Sequence, residues 1–538
     1  MRGRDPGRGD PELVLVGQIA AAASCISFLV YLRHSDLLLF GDAVAHINIA
    51  RRIFDSLTPG ITQLGTVWLP LPHIAILPFV VSDRLWQTGV GGSIPSMAAY
   101  VVACVGVFRL LRNTLASGAP DVRVRISAWI GTALFAANPN LLYLEATAMT
   151  ESLCLCFFVW SLVYFTEFVN ASDRASSLLM KSGLYVAGAC FTRYDGWFLA
   201  AVLFGVLIAI AVRSRFRKIS VRELLRFLLL ATAGPVIWLA YNAGFYRNVF
   251  EFVNGPYSAQ AIEHNSSAPW HPGMHNLHVA ASYFLKCAQL TVAQGNWGRL
   301  WLLVLLAGAG VIIFFERRLW PLLLLWFPLP FYAISIAYAG VPLYVPVWWP
   351  FTYYNDRYGV EMLPAFAAMF CVLIYHLFRF WVRPKAIAAV AFAAVALVAI
   401  GYAFVWRAQP VSFREAWANS RTRIPFEHAM ASNLKLLPHD STLIMYIGDH
   451  SGAVQDSGIP FRRVINEDNQ RPWIKPIDPD GFWARALKDP QRYADYVIAI
   501  DNDPAARLVN RQALKSLVII RSLDEPPASF YWTGRPQR

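Results

Sequence analysis

Long apolar runs separated by short polar loops constrain this chain more than any other feature. Of its 538 residues, 56% are hydrophobic and only 15% are charged, whereas ordinary globular domains carry about 25% charged residues. A helix needs roughly 20 mostly apolar residues to cross the hydrocarbon core of a membrane. We therefore predict about eleven membrane-spanning helices, at residues 13–40, 92–111, 126–142, 148–168, 182–192, 197–212, 225–246, 298–315, 319–339, 361–380 and 386–406.

Arginine and lysine residues cluster in alternate loops between these runs. When every basic cluster is placed on the cytoplasmic side, as the positive-inside rule requires, the eleven spans alternate without a contradiction. The net charge of +13 is thereby explained by membrane topology, and nucleic acid is not an expected partner. The N-terminus is then cytoplasmic, and the outer segments are 41–91, 143–147, 193–196, 247–297, 340–360 and 407–538.

Two domains follow from the change of composition near residue 408. Residues 1–408 form the predicted transmembrane domain, and its outer loop 41–91 starts with an interfacial amphipathic helix followed by a proline-broken segment. Residues 409–538 contain the apolar runs STLIMYIGD, YADYVIAID and KSLVIIRSL, which are typical of short buried strands. With helical stretches between them, they predict a small extracytoplasmic α/β domain.

Unusual polar residues gather in the predicted outer segments. Ionisable side chains at the edge of a membrane are costly to bury, so they are candidates for function. The candidates are Asp42, His46, Glu145, Glu151, Arg193, Asp195 and the run TYYNDRYG at 352–359.

Several of these residues form a pattern that resembles a known family. An acidic residue follows the first span at Gly41–Asp42, and the helix after it has the form Asp-x-x-x-His-x-x-x-Ala-Arg. Arg357–Tyr358 precedes a helix bearing Glu361 and Pro364, and the C-terminal domain carries Ile447–Gly448–Asp449. Over roughly residues 10–405 the chain resembles the GT-C superfamily of membrane glycosyltransferases, in particular the bacterial protein mannosyltransferase-like and aminoarabinose transferase-like enzymes.

The resemblance implies an inverting glycosyltransferase that moves a sugar from a polyprenyl-phosphate carrier to a lipid, glycan or protein acceptor outside the cell. It implies localisation in the bacterial inner membrane, among membrane lipids. By resemblance, Asp42 is the catalytic base, and Arg357, Tyr358 and Arg193 bind the donor phosphate. The residues expected to contact the sugar or acceptor are His46, Glu145, Glu151 and Asp195.

Simpler structural roles remain open for the same residues. Asp42 is a favoured helix N-cap residue, and Glu151 in a first helical turn favours the helix dipole. Arg357 could pair with Asp356 or with lipid headgroups, and Arg193 could pair with Asp195 within one turn. Ala43 stands where many protein mannosyltransferases have a second acidic residue, which disfavours a protein acceptor.

No metal site and no firm cofactor are predicted. A divalent metal would be expected with an outer Asp-x-Asp motif, and none precedes residue 409. Asp501–Asn502–Asp503 has that form but lies in the C-terminal domain.

Two other functions are compatible with the sequence. A transporter or flippase of a lipid-linked substrate would place ionisable residues near the bilayer midplane and show paired inverted halves, whereas here they gather at one face. A non-catalytic subunit of a membrane assembly would tolerate loss of Asp42.

Overall fold

The computed structural model describes residues 10–116, 121–171, 175–266, 270–380, 383–438, 440–448 and 450–535. Asp449 of the predicted Ile447–Gly448–Asp449 motif therefore lies outside the described residues. The chain divides into two compact units. The first comprises the residues up to Ser35, Pro95–Trp238 and Val253–Glu415. The second comprises Asp36–Ile94, Leu239–Phe252 and the chain from Ala416 onward.

Helices dominate the described part of the chain, and nine segments are long and apolar enough, by length and composition, to cross a membrane. This confirms the prediction of a polytopic helical membrane protein. The nine are Pro11–Arg33, Val90–Leu115, Glu151–Asn170, Asp195–Arg213, Val221–Tyr246, Trp297–Phe314, Arg317–Tyr338, Asp356–Phe380 and Pro384–Ser420.

Three of these segments are built from two shorter elements. The 3-10 segments Arg317–Trp326 and Asp356–Met362 precede the α-helices Pro328–Tyr338 and Leu363–Phe380. The third combines the helices Pro384–Ala408 and Val411–Ser420.

Two predicted spans coincide with shorter helices. Residues 126–142 largely overlap the 15-residue helix Val122–Ala136, and 182–192 lies in the 17-residue helix Ser176–Thr192. At 1.5 Å per residue, the longer of the two covers about 25 Å, slightly less than the hydrocarbon core. The remaining elements before residue 300 are Asp36–Leu38, Gly41–Arg52, Ile61–Leu64, Pro70–Ile76, Asp83–Gln87, Pro139–Glu145, Glu251–Asn254, Ala259–Ser266 and Leu277–Val292.

The helix Leu363–Phe380 forms the centre of the first unit. All its residues from Leu363 to Val372 are buried. Glycines allow its neighbours to come close: a Cβ added at Gly131 would lie 2.9 Å from the Ala367 carbonyl oxygen, and one at Gly308 would lie 2.6 Å from the Met369 carbonyl oxygen. Backbone-to-backbone packing of this kind depends on small residues in membrane helices.

In the second unit, the helix Gly41–Arg52 is buried on more than one side. The sequence predicts an amphipathic helix with a polar face, but polar His46, Asn48 and Arg51 are buried together with the apolar residues. The reason is that short segments of the same unit cover this polar face and supply hydrogen-bond partners for it. Arg51, for example, pairs with Asp55 at 2.8 Å and donates to the Val80 carbonyl at 2.7 Å.

A five-stranded sheet with the strand order β2-β1-β3-β5-β4 lies at the C-terminus of the second unit. Its strands are β1 (Leu443–Met445), β2 (Val464–Ile465), β3 (Tyr496–Ile500), β4 (Lys515–Ile520) and β5 (Ala528–Trp532). β1 runs parallel to β2 and β3, whereas β5 runs antiparallel to β3 and β4. The helical elements after residue 420 are Arg423–Leu434, Ser451–Ser457, Phe461–Arg463, Phe482–Lys488, Pro490–Tyr493, Pro504–Leu508 and Arg511–Ala513.

This sheet confirms the predicted small α/β domain, with one difference. β1 and β3 are buried as predicted, but β4 is mostly exposed. β4 is an edge strand that pairs only with β5 among the described strands, so its apolar composition reflects strand propensity rather than burial.

We expect Gly308→Ala to lower the stability of the protein. Alanine favours a helix over glycine by about 1 kcal/mol, but the added methyl group would overlap the Met369 backbone, and such overpacking costs about 1–3 kcal/mol. Gly310→Ala is the matched control, because no atom lies within 4 Å of the added Cβ. Thermal unfolding in detergent should give a lower Tm for Gly308→Ala only. Equal Tm values would contradict the close approach.

Candidate functional site

The first unit contains a largely buried group of paired acidic and basic side chains, which we call the ionic cluster. It consists of Glu151, Arg193, Asp195, Arg357, Glu361 and Glu415. Glu151 and Asp195 are each the first residue of a helix. Arg357 and Glu361 lie in the 3-10 segment Asp356–Met362. The cluster therefore occupies the ends of predicted spans, at the side that the predicted topology places outside.

Arg193 contacts acceptors through all three nitrogens of its guanidinium group. Nε lies 3.1 Å from Asp195 Oδ2, and Nη2 donates to the Tyr332 hydroxyl at 2.9 Å. Nη1 donates to Thr150 Oγ1 at 3.1 Å and lies 3.3 Å from Glu151 Oε1. The pairing with Asp195 is thus one part of a larger arrangement, and the planar guanidinium is held in one orientation.

Arg357 is fixed by its backbone as well as by its side chain. Its amide donates to Glu415 Oε2 at 3.0 Å, and its Nη1 donates to Glu415 Oε1 at 3.1 Å. The amide of Asn355 donates to the same carboxylate at 2.7 Å. The Nε of Arg357 lies 3.3 Å from Glu151 Oε1, the oxygen that also pairs with Arg193. Glu151 therefore bridges the two guanidinium groups.

The ring of Tyr358 faces both cations. The guanidinium carbons of Arg193 and Arg357 lie 4.9 and 5.1 Å from its centroid, within the range of cation–π attraction. Tyr358 also stacks on Tyr332 with 5.1 Å between centroids. The structure thus brings together the three residues predicted to bind phosphate, and Glu151 and Asp195 with them.

A tight turn between two helices positions Arg193 and Asp195 in the cluster. The helix Ser176–Thr192 ends one residue before Arg193, and the next helix starts at Asp195. A Cβ added at Gly196 would lie 2.4 Å from the Ala189 carbonyl carbon. Only glycine therefore allows the two helices to approach closely enough for so short a connection.

Negative charge exceeds positive charge in the ionic cluster. Four carboxylates pair with two guanidinium groups. The carboxylates are almost completely inaccessible to solvent. Unpaired charge in such a place is strongly disfavoured. The excess of two negative charges must be reduced by protons or by a cation.

Asp42 and His46 belong to the second unit. Asp42 is the second residue of the helix Gly41–Arg52 and is half-buried. His46 follows one turn later, and its Nδ1 lies 2.9 Å from Nε2 of His73. Burial and the nearby His46 hold the pKa of His73 well below its usual range, so His73 is neutral at physiological pH. The roles predicted for Asp42 and His46 stay predictions.

Residues of the C-terminal domain hold the helix that carries Asp42. Ser451 accepts a hydrogen bond from Asn48 at 3.1 Å, and Arg52 pairs with Asp468. Further contacts join Arg462 to Asp55, at 3.3 Å, just beyond the helix. The position of Asp42 within the second unit therefore depends on side chains that are about 400 residues away in sequence.

Glu145 does not take part in the ionic cluster. It lies at the end of the helix Pro139–Glu145, is fully buried, and its Oε2 is 2.6 Å from Ser24 Oγ. Burial raises the pKa of Glu145 to about 8, and the hydrogen bond with Ser24 partly offsets this shift. Its predicted contact with a sugar or acceptor stays a prediction.

Sequence reasoning assigned no site role to three residues of this region, although it noted Glu361 in the family pattern. Glu361 is the only acidic residue of the predicted span 361–380, which could have identified it. Cys154 lies three residues after Glu151 and so on the same helix face. Glu415 follows the last predicted span in a stretch with no recognisable motif, and only the fold brings it to Arg357.

Comparison with known proteins gives a match in fold only. No protein-family model matches the chain, and no curated protein sequence matches it. ArnT from Cupriavidus metallidurans bound to undecaprenyl phosphate has a TM-score of 0.57 and 12% identity, over 96% of this chain and 97% of that one. Apo ArnT from the same organism gives 0.55 and 13%, over 96% and 98%. An oligosaccharyltransferase from Archaeoglobus fulgidus, solved with zinc and sulfate, gives 0.46 and 12%, over 96% and 72%.

Stability should fall as the pH rises if Glu145 is as buried as the structure indicates. A carboxyl with a folded pKa of about 8 and an unfolded pKa near 4.5 stabilises the folded state fully below the lower value. That stabilisation, on the order of 5 kcal/mol, is lost as the pH rises to the higher value. Tm measured from about pH 5 to about pH 9 should decline less in Glu145→Gln than in the wild type. Parallel pH profiles would contradict this assignment.

Proposed function

From a fold shared with GT-C membrane glycosyltransferases, we propose that this chain is an inverting glycosyltransferase. Its donor is a hexose on a polyprenyl-phosphate carrier, and it acts on the extracytoplasmic face of the bacterial inner membrane. The observation that carries the proposal is the ionic cluster, which gathers two guanidinium groups and the Tyr358 ring at the ends of spans. ArnT, which is similar in fold, was solved with undecaprenyl phosphate bound.

The donor chemistry explains why such a cluster would lie at the membrane boundary. A polyprenyl tail needs an apolar environment, whereas its phosphate needs cations at the level of the headgroups. Arginine binds phosphate through charge-assisted hydrogen bonds in a fixed fork geometry. Arg193 and Arg357, which share the Glu151 carboxylate, are the proposed phosphate ligands.

Asp42 is the proposed catalytic base, as the family resemblance implies. The acceptor hydroxyl attacks the anomeric carbon from the side opposite the phosphate. The bond from that carbon to the phosphate oxygen breaks, the hydroxyl proton passes to the Asp42 carboxylate, and polyprenyl phosphate leaves with the bonding electrons. A positioned carboxylate of this kind contributes roughly 10²–10⁴-fold to the rate.

Transport fits the first unit less well than catalysis does. A transporter would hold its substrate near the middle of the bilayer, at discontinuous helices. In the ionic cluster, Glu151 and Asp195 are the first residues of their helices. Charge at helix ends favours binding at a membrane surface over passage through the membrane.

We expect Asp42→Asn to abolish sugar transfer and to leave folding unchanged. The amide is close in size to the carboxylate but cannot accept the proton. Asp480→Asn is a matched control in the same unit, because its side chain is 85% exposed and has no proposed catalytic role. Transfer from a radiolabelled polyprenyl-phosphate sugar by purified protein measures the effect. Full activity of Asp42→Asn would favour a non-catalytic assembly subunit.

Loss of either cluster arginine should weaken donor binding. A hydrogen bond to a charged group contributes about 1.5–3 kcal/mol, so Arg193→Gln and Arg357→Gln should each raise the Kd for polyprenyl phosphate by roughly 10- to 100-fold. Arg109→Gln is the control. Arg109 pairs with Glu167, which lies in the same helix as Glu151 but near its opposite end, outside the cluster. Normal binding by Arg357→Gln alone would leave Arg193 as the phosphate ligand. Normal binding by both variants would exclude the cluster.

A further inference from the structure

Three side chains at the edge of the ionic cluster place atoms that can bind a metal close to one another. Cys154 Sγ lies 3.5 Å from Asp195 Oδ1 and 4.0 Å from Glu361 Oε2, and all three atoms lie within 4.8 Å of one another. We propose that Cys154, Asp195 and Glu361 form a binding site for a divalent transition metal of the zinc class.

The separation between the Cys154 sulfur and the Asp195 oxygen fits a tetrahedral metal ion. Zinc binds thiolate sulfur at about 2.3 Å and carboxylate oxygen at about 2.1 Å, which places the two atoms about 3.6 Å apart at a tetrahedral angle. The separation between Cys154 and Asp195 is 3.5 Å. The longer distance to Glu361 corresponds to a wider angle at the metal. Three protein ligands leave a fourth position for water or a substrate oxygen.

Unsatisfied carboxylate oxygens support this site independently of the distances. Among the described residues, Oε1 of Glu361 and Oε2 of Glu151 have no hydrogen-bond partner. The Arg193 Nε lies 3.6 Å from Glu361 Oε1, which is an ion pair beyond hydrogen-bond distance. Both side chains are completely buried. A buried carboxylate that accepts no hydrogen bond at one oxygen is costly, and a cation bound at Oε2 would neutralise the charge that Glu361 shares between its two oxygens.

The charge of the cluster also calls for a cation. Its four carboxylates exceed its two guanidinium groups by two negative charges. With Cys154 bound as a thiolate the excess is three, and a divalent ion reduces it to one. The thiolate ligand favours zinc, copper or cobalt over magnesium and calcium, which prefer oxygen ligands.

Arg193 can hold the Asp195 carboxylate in position without blocking the proposed metal. It pairs with Oδ2 of Asp195 at 3.1 Å, whereas the proposed metal ligand is Oδ1 of the same carboxylate. The amide of Gly196 also donates to Oδ1 at 2.9 Å and fixes its direction. Partners of this kind hold ligands in place in many metal sites.

A consequence for donor binding rests on the proposed function. Phosphate is anionic, and the excess carboxylates of the cluster would repel it. A metal held by Asp195 and Glu361 removes that repulsion and leaves Arg193 able to bind phosphate. Metal removal should therefore weaken polyprenyl-phosphate binding in the wild type.

Cobalt substitution tests the site directly. Purified protein without a histidine tag is stripped with a chelator and titrated with Co²⁺ in detergent. We expect one equivalent to bind and to give a thiolate-to-cobalt charge-transfer band in the near ultraviolet. The band should be lost in Cys154→Ser, and Glu361→Gln should bind Co²⁺ at least about tenfold more weakly. Cys156→Ser is the matched control, because Cys156 is a buried cysteine of the same helix outside the proposed ligand set.

The outcomes are distinct. A wild type without the band, or a band that survives in Cys154→Ser, overturns the metal site and leaves Cys154 as a thiol hydrogen-bonded to Asp195. A cobalt band without any binding of polyprenyl phosphate supports the metal site and contradicts the proposed function instead. Because the wild-type spectrum alone can refute the site, the test does not depend on the folding of the variants.

Discussion

Two arginines and four carboxylates buried at the ends of helices are tolerated only if their charges meet one another directly. Glu151 contacts both guanidinium groups, and Glu415 holds Arg357 through backbone and side chain. Since each pairing joins a different helical segment, these contacts fix the relative positions of the segments. The ion pairs that compensate the buried charges of the first unit therefore also hold its helical segments in position.

That arrangement has an electrostatic consequence. Arginines already engaged by carboxylates do not attract an anionic phosphate strongly, whatever their number. Neutralising the excess carboxylates, by protonation or by a cation, makes the same guanidinium groups available to phosphate. Under the proposed function, the proposed metal site therefore accounts for the many acidic residues beside the proposed phosphate ligands.

In the second unit, buried polar groups are compensated by other segments that cover one helix, and not by a central cluster of ion pairs. The helix Gly41–Arg52 is covered on its polar side, where buried polar groups find partners both nearby and in distant parts of the chain. Arg51 pairs with Asp55 and Asp83, and Asn48 reaches Ser451. The C-terminal domain therefore has a structural role in holding this helix, in addition to any role in binding an acceptor.

Sequence alone determined the class of the protein. Apolar runs of membrane length and basic loops are properties of the chain that do not depend on its partners, so the polytopic fold, the helices and the C-terminal α/β domain followed from them. It also identified Arg193, Asp195, Glu151 and Arg357 as unusual, because charge at a membrane boundary is costly wherever it occurs. Only the tertiary structure decided which of these residues meet. Glu415 and Glu361 joined the cluster, Cys154 came to lie beside it, and Glu145 did not take part. Contacts between helices depend on their packing and on close approach at glycines, which no local pattern records.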